Sequence, residues 1–232
     1  MQGCEPPAQI HSQTYTGIPP ETQPQNQTGT ETHRKNYSLP ARHARRLGLL
    51  AFDIETTGLN PATHVVTAAC VFGEGAEETF LFKGESEADD ARSRERFLAL
   101  LDAAPRLCAF NGIRFDIPFL HTAWGVPAER VEGWVLKTFD VYEACKLGLN
   151  ATFSLNRLLS ANGLESKSGS GLHAITLAHS RQWDALGAYC MQDTRLTYLA
   201  TLQDSIALPV LSHASKRQIV IDRTTHTLFR VW

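Results

Sequence analysis

Residues 47–54 read LGLLAFDI, an eight-residue run that is apolar on both alternating faces except for one acid near its end. A short continuous apolar run of this kind predicts a strand buried on both sides, so helices must cover both faces of the sheet that contains it. The stretches that follow supply partners. Residues 64–72 are β-branched and apolar and residues 78–82 alternate, which predicts an antiparallel meander with the first strand. Residues 92–103 place Phe97, Leu98 and Leu101 on a charged background, the pattern of an amphipathic helix. A buried strand at 106–110 ends at Asn111-Gly112, a helix follows from about Phe115, and a further strand is expected near 135–139. Helices are expected over 141–148 and 154–161, a loop over 165–171, and a long helix over 181–202. Residues 218–232 hold two β-like runs on either side of 223–226, the pattern of a hairpin. Three strands followed by alternating helices and strands predict an α/β fold, a mixed sheet flanked by helices.

The chain divides by composition. Residues 1–46 are rich in Gln, Thr, Pro, Asn and Ser and nearly free of aliphatic side chains, so they cannot bury enough apolar surface to offset ordering; they are expected to be a disordered tail ahead of one domain over 47–232. From Leu47 onward there are 17 Lys and Arg against 21 Asp and Glu, a net of −4, whereas Arg34, Lys35, Arg42, Arg45 and Arg46 carry the basic end of the tail. A core of this charge does not attract a polyanion through a broad basic face, so bound cations or the tail must supply the attraction. No apolar run nears the roughly 20 residues needed to cross a bilayer, and no basic-then-apolar leader opens the chain. The five cysteines are scattered and form no C-x-x-C pair, which reads as reduced thiols in an intracellular protein and makes the sequons at Asn26, Asn36 and Asn150 chance matches.

Three segments each set an acid where an apolar element ends. Asp53 and Glu55 lie two apart at the close of the first strand and therefore share a face. Asp116 opens the helix that follows N-G-I-R-F-D. Tyr189 and Asp193 lie four apart in the long helix, stacked on one face. Four carboxylates converging in a cleft repel one another unless cations neutralise them, and an all-oxygen donor set suits Mg²⁺ or Mn²⁺. Two such ions would offset the net charge of the core and serve phosphodiester hydrolysis.

DIETTG, NGIRFD and YCMQD, in this order, resemble the three motifs of the DEDD 3′→5′ exonuclease superfamily; Tyr189 places the pattern in its DEDDy branch. The second motif is most similar to the proofreading domain of family B DNA polymerases and its stand-alone relatives, and the likeness runs over about residues 47–205. The resemblance implies an RNase H-like fold and two Mg²⁺ or Mn²⁺ ions held by Asp53, Glu55, Asp116 and Asp193. It also implies that Tyr189 aims the attacking water. Thr56, Thr57, Gly58, Leu59, Asn111 and Phe115 would hold the 3′-terminal nucleotide, with Ser154 and Leu155 as further strand contacts. The implied substrate is DNA or RNA with a free 3′ end, single-stranded at that end, and the products are nucleoside 5′-monophosphates. No polymerase adjoins the motifs, so a proofreading role does not come with them.

Each segment also has a plainer reading: a strand ending in a polar turn, an Asp at a helix start, and a helix with one aromatic and one acid. An RNase H-like endonuclease and a catalytically dead nucleic-acid-binding module are the rivals. The former does not require Tyr189 four residues before Asp193, and the latter is expected to have lost a carboxylate. The K-S-G-S-G run at 167–171 lacks a phosphate-loop frame and reads as a loop whose Lys167 can touch a phosphate. His173 and His179 read as helix-surface residues, and Trp124 and Trp183 as core anchors.

Overall fold

The structure, a computed structural model, describes residues 48–146, 152–166, 171–203 and 205–208, and the backbone of two strands at 218–221 and 228–231. The expected tail, the sequons, Cys4 and Lys167 lie outside the described residues.

The first strand, β1 (Leu49–Thr56), is central. It pairs antiparallel with β2 (Val66–Gly73), which pairs antiparallel with β3 (Ala76–Leu81). On its other side it pairs in parallel with β4 (Arg106–Ala109), which is parallel to β5 (Thr138–Asp140), giving the order β3-β2-β1-β4-β5. The parallel pairings require crossovers, supplied by α1 (Glu87–Ala103) between β3 and β4 and by α2 (Asp116–Trp124) and α3 (Ala128–Lys137) between β4 and β5. Beyond β5 come α4 (Val141–Lys146), α5 (Leu155–Ala161), α6 (Gly171–His179) and the long α7 (Trp183–Thr201). A second, antiparallel sheet joins β6 (Ser205–Ala207), β7 (Gln218–Ile221) and β8 (Leu228–Val231), so the expected hairpin is present and carries a third strand.

The apolar run of β1 buries both faces, as a central strand must. Phe52 and Ile54 pack with Phe97 of α1, Ile117 and Phe119 of α2 and Trp134 of α3. Leu49 and Ala51 face the opposite layer with Val141, Cys145 and Tyr198. Burying a side chain of this size contributes about 1.5–3 kcal/mol, so the two layers together fix which way each residue of β1 points.

Three boundaries differ from the sequence reading for identifiable reasons. α1 starts a turn before residue 92, because Ser86 caps it by accepting a hydrogen bond from the Asp89 amide at 3.3 Å. The strand expected over 135–139 is mostly the end of α3, and only Thr138–Asp140 is extended. Val131, Trp134 and Val135 form a helical stripe on the core, and the Trp134 indole donates to Asp102 at 2.7 Å while Leu136 points out, so helix packing wins over the local β propensity. Gly171, assigned to a loop, begins α6.

Candidate active site

The alternation along β1 that sends Phe52 and Ile54 to one layer sends Asp53 and Glu55 to the other. There they meet α7. In register on β2, Asp53 lies opposite Cys70 and Glu55 opposite Ala68, and both of these pack against Leu186, Tyr189 and Cys190 of α7. Asp53, Glu55 and Cys190 bring ligand atoms within 4.8 Å of one another. The Cys190 thiol donates to the Asp53 carbonyl at 3.7 Å and reaches its Oδ2 at 3.9 Å. Burial, the neighbouring Cys70 thiol and the charges of Asp53 and Glu55 all push Cys190 well above the ordinary thiol range. It therefore stays a protonated donor, and the two carboxylates are the hard ligands of the group.

Asp116 enters from the other side of β1. Pairing between β1 and β4 ends at Ala51 and Cys108, which frees the next stretch of β1 from its parallel partner. The Asp116 Oδ1 accepts the Ile54 amide at 3.0 Å in place of that partner. Asp116 thus does not cap its own helix; Phe115 holds the cap position of α2 with no side-chain hydrogen bond. Burial, opposed by the Ile54 bond and reinforced by the charge of Asp140, pushes the Asp116 carboxyl up to about 7. Asp193 is buried on α7, one helical turn beyond both Tyr189 and Cys190 and so on the face turned to β1. Tyr189 is buried too, with the exposed His173 ring of α6 set edge-on to it at 5.8 Å and 74°.

The loop after β1 is held by its own polar groups. The Thr56 hydroxyl donates to the Gly58 carbonyl at 2.7 Å, and the Thr57 hydroxyl accepts the Val65 amide at 3.1 Å. A Cβ at Gly58 would lie 2.3 Å from the His64 ring, so only glycine lets the imidazole pack on this turn. Leu59 projects from it, 80 % exposed. In the second motif, Asn111 takes a left-handed φ of 67°, and the Phe115 ring packs against that of Phe119 at 5.6 Å, tilted by 49°. Ser154 and Leu155 are placed differently. Ser154 caps α5 by accepting the Arg157 amide, and Leu155 is packed with Leu159, Leu196 and Ala200, one to two turns past Asp193 along α7.

A further acid-bearing strand end escaped the sequence reading. Asp140 closes β5, is 5 % exposed, and its carboxylate accepts four backbone amides. Oδ1 takes Asn111 and Tyr142 at 2.9 Å and Glu143 at 3.2 Å, and Oδ2 takes Ile113 at 2.9 Å. Burial pushes its carboxyl upward against those four bonds. The signal was the one that marked the other three segments, an acid at the end of an apolar run, here without a second functional residue beside it.

Carboxylate donors on a central strand fit a hard divalent cation, and the burial that pushes the Asp116 carboxyl upward is a penalty that a cation would relieve. A mixed sheet with helices on both faces and acids gathered where β1 meets α7 is an RNase H-like, nuclease-type fold. Residues 50–203, more than half of the chain, match the sequence model of the RNase H superfamily, and the chain belongs to that superfamily. Among solved structures it is similar to the family B DNA polymerase of the hyperthermophilic archaeon Pyrobaculum calidifontis, with a TM-score of 0.52 and 21 % identity over 65 % of this chain and 23 % of that one. The chain spans less than a quarter of the polymerase, and the likeness is one of fold. No curated protein matches it in sequence.

Proposed function

We propose that the protein is a divalent-metal-dependent 3′→5′ exonuclease that removes nucleoside 5′-monophosphates from free 3′ ends of DNA or RNA. The observation that carries this reading is the meeting of Asp53 and Glu55 on one face of β1 with α7 at Cys190, between Tyr189 and Asp193 on that helix, with Asp116 fastened to the same strand at Ile54. Asp53, Glu55, Asp116 and Asp193 are the residues that would hold two Mg²⁺ or Mn²⁺ ions, which when bound lower the pKa of water and stabilise charge on phosphoryl oxygens. Tyr189 orients the attacking water through its hydroxyl. Leu59, Asn111 and Phe115 are the residues that would seat the terminal nucleotide, with Thr56, Thr57 and Gly58 shaping the turn after β1.

The test is a time course on 5′-labelled single-stranded DNA and RNA with Mg²⁺, Mn²⁺ or EDTA. The expected result is a ladder that shortens one nucleotide at a time from the 3′ end, stops with EDTA, and is blocked by a 3′-phosphate. Cuts in a circular strand would replace this reading with an endonuclease, and binding without any cut would replace it with an inactive binding module.

A further inference from the structure

We propose that Asp140 is a substrate-positioning residue, which holds the Asn111 to Ile113 turn in the shape that presents Asn111 to the 3′-terminal nucleotide. The inference rests on the exonuclease reading for the identity of that ligand, and on the hydrogen bonds of Asp140 for the rest. Two of the four amides on its carboxylate, those of Tyr142 and Glu143, belong to the first turn of α4, so Asp140 caps that helix. The other two come from a segment some thirty residues earlier, and a helix cap has no need of them. They are the amides of Asn111 and Ile113, on either side of Gly112.

The turn needs such an anchor for two reasons. Asn111 sits at φ 67°, in the left-handed region that asparagine tolerates better than other non-glycine residues but that still costs free energy without support. Gly112 is pressed so close to the core that a Cβ would fall 2.5 Å from Ala109 Cβ and 3.3 Å from Phe52 Cζ, so the turn cannot relax inward. The Asp140 carboxylate fixes it from the other end, and both the Asn111 side chain and the path into Asp116 follow from that geometry. Asp116 has its own tether to Ile54, so losing Asp140 should disturb the nucleotide side of the motif more than the metal side.

Asp140→Ser separates the two duties. Serine keeps a cap for α4 but is too short to reach the turn as well. Asp140→Asn is the second variant, keeping the size of the side chain and losing its charge. For both, KM for a 5′-labelled single strand should rise about 10–100-fold, the range set by losing hydrogen bonds to a charged group, with kcat within about threefold. The dissociation constant for a fluorescent strand ending in phosphorothioate linkages, read by anisotropy, should rise by the same factor. In an Asn111→Ala background, Asp140→Ser should add little, because the two residues act through one contact. Unchanged binding in Asp140→Ser, losses that simply multiply in the double variant, or failure of both Asp140 variants to fold would overturn the assignment. A wild-type chain that binds the strand but never shortens it would remove the exonuclease reading alone, since the positioning role is read from the anisotropy.

Discussion

Asp53 lies near the end of β1 beside Glu55, a group of its own sign, and belongs to the proposed cation site. Asp53→Ala should therefore lower the cleavage rate by at least about 100-fold, beyond the usual cost of losing an outer-shell partner of a metal. Its melting temperature without metal should equal or exceed that of the wild type, because one of several repelling charges is gone. Added Mg²⁺ should raise the melting temperature of the wild type and leave that of the variant unmoved, which calorimetry can read directly. Tyr189→Phe removes one hydroxyl and leaves all four acids, so single-turnover rates should fall about 10–100-fold while KM and the Mg²⁺ dependence hold. A variant as fast as the wild type would take Tyr189 out of the mechanism. That Asp53 and Glu55 share a strand and Tyr189 and Asp193 a helix was legible from sequence, because each pair sits in a short local pattern, two apart or four apart. Asp140 was not, because its partners Asn111 and Ile113 are distant in sequence and its role exists only after β4 and β5 have paired.

The first two strands of the meander were legible as short apolar runs, the third by its alternation, and the long helix by the spacing of its apolar residues. α3 was hidden because Val135 and Leu136 look like strand residues, and what makes the segment helical is the seat of Trp134 against Asp102, which no local window contains. β6 is three residues long and draws its identity from pairing with β7 and from Asn162, which accepts the Ala207 amide at 2.7 Å and donates to its carbonyl at 2.9 Å. Between β4 and α2, Gly112→Ala tests how tightly the second motif is packed. A Cβ there meets Ala109 and Phe52, both of them buried, so the substitution should destabilise the domain by about 1–3 kcal/mol in urea unfolding, the range seen for overpacking. It should also depress cleavage, since the backbone that must move leads into Asp116. Stability and activity equal to wild type would mean that the turn has slack.

For the chain as a whole, the charge is divided between a core of net −4 and a basic segment ending at Arg46. Deleting residues 1–46 should leave turnover on saturating substrate unchanged, as every proposed site residue lies beyond them. Affinity for long strands should fall, and the plot of log affinity against log salt should flatten by about 0.7 for each phosphate contact removed. Equal affinity and equal slope would show that the segment makes no phosphate contact. The layering and the class of the fold were legible, because a strand apolar on both faces has few solutions. The order β3-β2-β1-β4-β5 was not, because it depends on which distant edges meet. That β1 and α7 form the site together has a consequence for when the protein can act. A chain emerging from the ribosome displays Asp53 and Glu55 long before Asp193 has been made, and Cys190 closes onto Asp53 across 137 residues. The nascent chain thus carries Asp53, Glu55 and Asp116 before Asp193 exists, and hydrolysis, as proposed, becomes possible only once α7 has left the exit tunnel and docked. Cleavage as proposed would then spare the messenger and any other strand near the place of birth until α7 is in position.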